Sequence, residues 1–169
     1  MLGVVGVAPF QDQVSTPGDL ARWGGNLDYN QMRERATVYF TVYQAGAYLY
    51  VGDGHARQGD GEITGQGLEI SMDVEFTVDV IKDQYLDQPW LENAEYVMVC
   101  GVAGSLESAM QAATAGLSKW LGQRYKLNAA EVATLLTNSV RYDIAEVVDP
   151  HINVVAKIGK DVLAQLPQP

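Results

Sequence analysis

The stretch from residue 46 to residue 67 reads GAYLYVGDGHARQGDGEITGQG. Seven of the chain's 17 glycines fall within it. Glycine at this density weakens a β-strand, so either tight turns or a close approach of the backbone to a ligand must require it. An amide, one of the chain's two histidines and three carboxylates lie between the glycines: Asp53, His55, Gln58, Asp60 and Glu62. The stretch predicts either a functional site or a glycine-rich hairpin whose polar side chains cap turns.

Asp53 and His55 are two positions apart, which is the period of a β-strand. If the strand continues through them, Asp53 and His55 point to the same face. A carboxylate beside an imidazole can bind a divalent metal, or it can orient the imidazole as a base. Asp60 and Glu62 repeat the spacing, and Glu62 is a candidate general base toward water if burial raises its pKa. Phosphate binding is disfavoured, because the acids would repel the anion.

Alternating apolar and polar residues predict strands on both sides of the glycine-rich stretch. One strand is predicted at residues 35–43, before the stretch, and another at residues 47–51, inside it. A third is predicted after it, at residues 68–80, with the sequence LEISMDVEFTVDV. The last pattern predicts a long, half-buried, antiparallel strand with an acidic outer face in solvent. Residues 95–102 are apolar on both faces and predict a central strand, and residues 2–7 predict another apolar strand.

The last third of the chain changes to a helical period. Ser105 is a predicted N-cap, apolar residues follow at three- and four-residue spacing, and Gly122 is the predicted end of the helix. Asn128 and Glu131 have the spacing of a capping box, which predicts a second helix as far as Ser139. Two short elements are predicted at residues 144–148 and 152–158. The predicted fold is α+β, with a helical hairpin packed on a largely antiparallel β-sheet.

Length and composition fit one folded domain over residues 1–169. The 169 residues are 47% hydrophobic and 19% charged, which argues against disorder. A net charge of −10 argues against nucleic acid or an anionic membrane as the main partner. Two histidines and one cysteine exclude a three-histidine zinc site and an internal disulfide within one chain. We expect no secretory signal or transmembrane helix, and therefore a cytoplasmic protein.

Several residues outside the glycine-rich stretch remain open to two interpretations. Residues 11–30 predict a long loop that is either functional or mobile. Within it, Asn26 and Asp28 either make Asx turns or belong to a site, and residues 15–18 either contact a substrate or form an ordinary turn. Cys100 lies in an apolar stretch, which predicts a buried structural thiol.

Three motifs of the chain resemble the acetamidase/formamidase family. They are Gly24-Gly25-Asn26-Leu27-Asp28, Gly46-Ala47, and the run from Val51 to Glu62, VGDGHARQGDGE. The family carries a GGN-(Met/Leu)-D segment followed by GALF-x-x-GD-x-HA-x-QGDGE. Residues 2–9 and 104–150 are also similar to the family, so the resemblance covers nearly the whole chain. One departure is Phe40-Thr41-Val42, where the family often has leucine, proline and valine.

The resemblance implies hydrolysis of small linear amides, of the formamide and acetamide type, to a carboxylate and ammonia. As metal ligands it suggests Asp28, Asp53 and His55, holding a divalent metal for which zinc is the candidate. The metal would polarise the amide carbonyl and activate water, and Glu62 would move the proton to the leaving amine. Asp60 is the second candidate catalytic carboxylate. Asn26 and Gln58 are the expected binding residues for the small amide substrate.

Members of the family are about twice as long as this chain. We therefore expect the chain to correspond to their C-terminal half, without their N-terminal β-rich portion. Apolar surface and strand edges left by that portion would require a partner, so we expect either a homo-oligomer or association with a missing N-terminal half. The alternative function is a truncated, non-catalytic oligomerising module that keeps the family scaffold.

Overall fold

The computed structural model describes residues 1–11 and 13–167, and it has ten strands and three helices in that part of the chain. The predicted domain of residues 1–169 also includes residues 12, 168 and 169, which lie outside the described part. The elements are β1 (Leu2–Gly6), β2 (Leu20–Ala21), β3 (Gly24–Asn26), β4 (Thr37–Tyr39), β5 (Tyr50–Arg57), β6 (Leu68–Glu69), β7 (Trp90–Glu92), β8 (Tyr96–Ala103), α1 (Leu106–Tyr125), α2 (Ala129–Ser139), β9 (Arg141–Glu146), β10 (Ile152–Gly159) and α3 (Lys160–Leu163).

The strands form two antiparallel sheets. The first has the order β2-β3-β1-β5-β6, and the second has the order β4-β7-β8-β10-β9. In the first sheet, Val4 of β1 is opposite Asn26 on one side and Gly52 on the other. The amides of Leu27 and Asp28 both donate to the Gly3 carbonyl, at 3.0 and 3.1 Å. This register brings the residues after β3 next to the middle of β5.

The helices pack on the second sheet, which confirms the predicted α+β class. The apolar face of α1 packs on β8 and β10 in a core that includes Val97, Leu117, Leu121 and Ile158. Residues 97–101 of β8 are all buried, as predicted for a central strand. The Ser105 N-cap and the Asn128–Glu131 capping box are both present. No helix in the described residues is long and apolar enough to cross a membrane.

Four predicted elements have other boundaries in the structure. The helix α1 continues past Gly122 to Tyr125 and ends at Lys126 in the left-handed conformation, at φ 58°. The predicted loop of residues 11–30 contains two short strands, β2 and β3, because their backbones pair with each other and with β1. The strand predicted at residues 35–43 is reduced to β4, and the strand predicted at residues 47–51 begins at Tyr50 and runs on to Arg57.

The largest correction concerns residues 68–80, predicted as a long, half-buried strand. Only Leu68–Glu69 forms a strand, and every residue from 68 to 85 is exposed. The apolar row is therefore in solvent, with Phe76 55% and Val78 67% exposed. An alternating segment becomes a stable strand when it has a neighbour to bond and a surface to cover, and the described residues supply neither here. We call residues 70–80 the exposed arm.

Candidate functional site

His55 is the centre of a cluster of ionisable side chains on the first sheet. Its side chain is 1% exposed, in the buried part of β5. The ring Nε2 lies 3.2 Å from Asp53 Oδ1 and 3.1 Å from Glu69 Oε1. The structure thus brings Asp53 and His55 to one face, as their two-residue spacing predicts.

Gln58 fixes the orientation of the His55 ring. The Gln58 Nε2 donates to the carbonyls of Asp28 and Ala145, at 2.5 and 3.2 Å, so its Oε1 is turned toward His55 Nδ1 at 2.9 Å. An acceptor at that position favours the tautomer with the proton on Nδ1. The Nε2 atom then faces the carboxylates. The whole Gln58 amide is engaged within the protein, so binding a substrate through it would require breaking one of these contacts.

Asp28 is a buried carboxylate without a hydrogen-bond partner among the described residues. It is 1% exposed, and neither Oδ1 nor Oδ2 accepts a hydrogen bond from any residue that the structure describes. Its Oδ1 lies 3.8 Å from His55 Nδ1. Burial, together with the charges of Glu62 and Asp53, raises the pKa of Asp28 to about 8. An unsatisfied carboxylate in this position is costly unless a proton or a cation compensates it.

The backbone that carries the acids is strained. Asp28, Asp53 and Glu62 have positive φ angles of 38°, 58° and 43°. Such a conformation costs about 1–3 kcal/mol per non-glycine residue and is typical of functional sites. Gly3 lies directly under the cluster, and a Cβ at this position would clash with the carboxylates of Asp28 and Asp53. The glycine therefore lets a backbone pass where the two acids converge.

Glu62 completes the predicted set on the inner side of the cluster. Its side chain is 5% exposed and its Oε1 lies 3.9 Å from His55 Nε2. Burial is the main reason why the pKa of Glu62 is raised, the nearby His55 lowers it, and the charges of Asp149 and Asp53 raise it further. A carboxylate with a raised pKa is suited to accept and return a proton near neutral pH.

Glu69 and Glu146 were not predicted from the sequence as candidate site residues. Glu69 is opposite His55 in the β5–β6 pair, and the pattern had assigned it to the outer row of a long strand. Glu146 is fully buried; its Oε2 accepts from the amides of Val148 and Asp149, while its Oε1 has no partner among the described residues. Burial raises the pKa of Glu146 to about 7. The parallel bridge between Gly61 and Glu146 joins distant parts of the chain and leaves no local signal.

Two sets of these side chains have the spacing of metal ligands. Asp28, Asp53 and His55 form one set, and His55, Glu62 and Glu69 form the other, each with ligand atoms within 4.8 Å of one another. Carboxylate oxygens and an imidazole nitrogen are ligands that zinc accepts. The two unpartnered oxygens of Asp28 fit a bound cation, since a cation would compensate them.

A cavity of about 660 Å³ lies beside the cluster and is lined by Asn26, Asp53, Tyr50 and residues 15–18. The segment 15–18, open to two interpretations from the sequence, precedes β2 and forms part of this cavity wall. Asn26 Nδ2 donates to Asp149. Asp60 is exposed and accepts from Asn30 Nδ2 at 2.8 Å, and it belongs to neither set of metal ligands. The structure therefore brings Asn26 to the cavity and leaves Asp60 outside both sets.

Comparison with known proteins gives consistent matches. Residues 13–163 match the acetamidase/formamidase family. The fold is similar to the predicted acetamidase/formamidase of Thermoanaerobacter tengcongensis, with a TM-score of 0.93, 33% identity and 98% of this chain covered. It is also similar to the acetamidase of Yersinia enterocolitica, with a TM-score of 0.93, 34% identity and 97% of this chain covered.

The matches cover only part of these relatives. The chain spans 55% of the Thermoanaerobacter protein and 49% of the Yersinia protein, which is about half of each. A formamidase of Methylophilus methylotrophus is 43% identical over 61 residues, which are 36% of this chain and 15% of that protein.

Proposed function

The chain belongs to the acetamidase/formamidase family, and from this premise we propose that it hydrolyses small linear amides to a carboxylate and ammonia. The site would lie at the His55 cluster and take its substrate from the adjoining cavity. We further propose that residues 1–169 form one domain equivalent to about half of the longer relatives, and that it works in the cytoplasm, where Cys100 stays reduced.

The observation that carries the proposal is the unbalanced charge of the cluster. Four carboxylates, Asp28, Asp53, Glu62 and Glu69, lie near one imidazole, and both oxygens of Asp28 are buried without a partner among the described residues. Buried acids that only stabilised the fold would be paired or hydrogen-bonded. Perturbed carboxyl groups beside a cavity are typical of active sites.

We propose that Asp28, Asp53 and His55 hold a divalent metal, with zinc as the candidate and Glu69 as a further ligand. When bound, such a metal would polarise the amide carbonyl and lower the pKa of a coordinated water. Gln58 would keep His55 Nε2 turned toward the ligand set, since it binds Nδ1 on the opposite side of the ring.

The proton transfers are assigned to Glu62. Its buried carboxylate would accept the proton from the attacking water and deliver it to the leaving amine, which departs as ammonia. Asn26, in the cavity wall, is proposed to orient the amide. The role of Gln58 as a substrate contact stays a prediction, since a substrate would have to displace its present hydrogen bonds. The role of Asp60 as a catalytic carboxylate also stays a prediction, and its side chain accepts a hydrogen bond from Asn30.

The test is ammonia release from formamide and acetamide by the purified chain. We expect activity that disappears after exhaustive chelation and returns when zinc is restored. Lack of ammonia release under every metal condition would overturn the proposed enzyme. Activity that survives chelation would overturn the metal and leave the amide hydrolysis standing.

A second candidate function is a non-catalytic module that assembles with another chain. The exposed arm favours it, since six apolar side chains at alternate positions between Ile70 and Val80 lie in solvent. Lack of ammonia release together with a stable complex would favour this function over the enzyme.

A further inference from the structure

The exposed arm has the alternating sequence of a β-strand, but its apolar side chains stay exposed among the described residues. Its apolar row is Ile70, Met72, Val74, Phe76, Val78 and Val80, and these side chains are between 39% and 68% exposed. Single exposed apolar residues are ordinary, but a continuous row of this length is typical of an interaction surface.

Most of the arm's backbone also lacks hydrogen-bond partners among the described residues. The amide of Ile70 donates to Gly54 at 2.7 Å, which ties the start of the arm to β5. From Ser71 to Asp79, the described residues make no backbone hydrogen bond with the arm. Extended backbone with unpaired amides and carbonyls accepts an added strand, because each new ladder bond satisfies a donor and an acceptor.

A second copy of the arm is a poor occupant. In a paired strand, directly opposite residues lie on the same face, so two apolar rows can meet only if the two acidic rows also meet. The acidic row of the arm is Asp73, Glu75 and Asp79. Like charges opposite each other destabilise the pair, and each chain carries a net charge of −10. Edge-to-edge pairing of two arms is therefore disfavoured.

We propose that the exposed arm docks a β-strand of a different polypeptide, one that alternates apolar residues with lysine or arginine. The apolar residues would cover the row from Ile70 to Val80, and the bases would face the acidic row. Size also permits such a partner, because about half of the Yersinia acetamidase lies beyond the part that this chain covers. The proposal is independent of the proposed amide hydrolysis.

The experiment measures binding of two labelled peptides of about ten residues by fluorescence anisotropy. One peptide alternates valine with lysine, and the other has the same composition with all lysines before all valines. The double variant Val74→Asp/Val78→Asp changes only exposed side chains of the arm. Leu106→Asp is the matched control, because it adds an acid at an exposed apolar position of α1 away from the arm.

We expect the alternating peptide to bind at least about tenfold more tightly than the block peptide. The double variant should lose this preference, and Leu106→Asp should keep it. Equal affinity for the two peptides would mean simple charge attraction and would overturn the proposal, as would binding retained by the double variant or absent from the wild type. A dimer in sedimentation experiments that the double variant dissociates would also overturn it, since the occupant would then be a second copy.

Discussion

Two neighbouring segments place an acid two positions from another polar residue, yet they have opposite environments. In residues 53–62, the acids Asp53 and Glu62 lie against buried His55, on or just after a strand bonded to β1. In the exposed arm, Asp73 and Glu75 lie in solvent on a backbone that pairs with nothing in the described residues. The same spacing thus produces a site only where a neighbouring strand holds the backbone and other acids converge from elsewhere.

The two segments differ in the free energy that their acids cost the folded protein. Acids in solvent keep their hydration, whereas burial raises the pKa of Asp28 to about 8. The fold tolerates such a cost together with the strained φ angles of Asp28 and Asp53. The buried cluster is therefore where substitutions should change chemistry, and the exposed arm is where they should change association only.

The largest effect is expected for His55→Ala. This change removes the only imidazole of the cluster, and we expect amide hydrolysis to fall by about a thousandfold or more. The measurement is the kcat for ammonia release. The matched control is His151→Ala, at the chain's other, exposed histidine, which should stay within about twofold. Equal losses in both variants would contradict a special role for His55.

The second largest effect is expected for Glu62→Gln, compared with the same change at Glu75 in the exposed arm. Glu62→Gln removes the proposed proton acceptor and should lower kcat by about 10²–10³-fold while the fold is kept. Glu75→Gln makes the same chemical change in the exposed arm and should leave kcat unchanged. If both variants are fully active, Glu62 is not the base, and the contrast between the two segments has no catalytic meaning.

A stability measurement tests how tightly the cluster is built. Gly3→Ala places a methyl group against the carboxylates of Asp28 and Asp53, and it should lower the free energy of unfolding by about 1–3 kcal/mol. The control is Gly104→Ala, where a Cβ would meet nothing within 4 Å. Urea unfolding compares the two. Equal stability would mean that the carboxylates do not converge on Gly3.

The smallest effect concerns Cys100, between the two sheets. Burial raises its pKa from 9.0 to about 12. An unfolded thiol ionises first, so the thiol's contribution to stability is complete below pH 9 and is lost as pH rises from about 9 to about 12. Within that range the loss is on the order of 1 kcal/mol per pH unit. Urea unfolding of Cys100→Ala should show a shallower alkaline decrease, and identical slopes for the two proteins would contradict the buried thiol.

Features that depend on residues close together in the sequence were predicted correctly. The capping box at Asn128 and the shared face of Asp53 and His55 depend on residues a few positions apart, and both are present. The antiparallel pairing, the helices packed on a sheet and the buried Cys100 were likewise predicted from periodicity and composition, but the division into two sheets was not. Asp28 was left open between an Asx turn and a site, and the resemblance to the family then suggested it as a metal ligand.

The rest depends on contacts between distant residues. Glu146 reaches the cluster through a bridge to Gly61, and β3 forms because β1 offers it a partner. Glu69 was placed in an outer acidic row, since the alternation of residues 68–80 suggested one long strand. That strand is absent because the described residues contain nothing that covers its apolar face, which no sequence pattern within the segment records.

The most direct test of the account is a calorimetric titration of the metal-free chain with zinc. If the His55 cluster holds the metal, binding should saturate at about one ion per chain, be lost in His55→Ala and be retained in Glu75→Gln. Absence of binding by the wild-type chain, or equal binding by His55→Ala, would contradict the claim that the His55 cluster is a metal-holding active site.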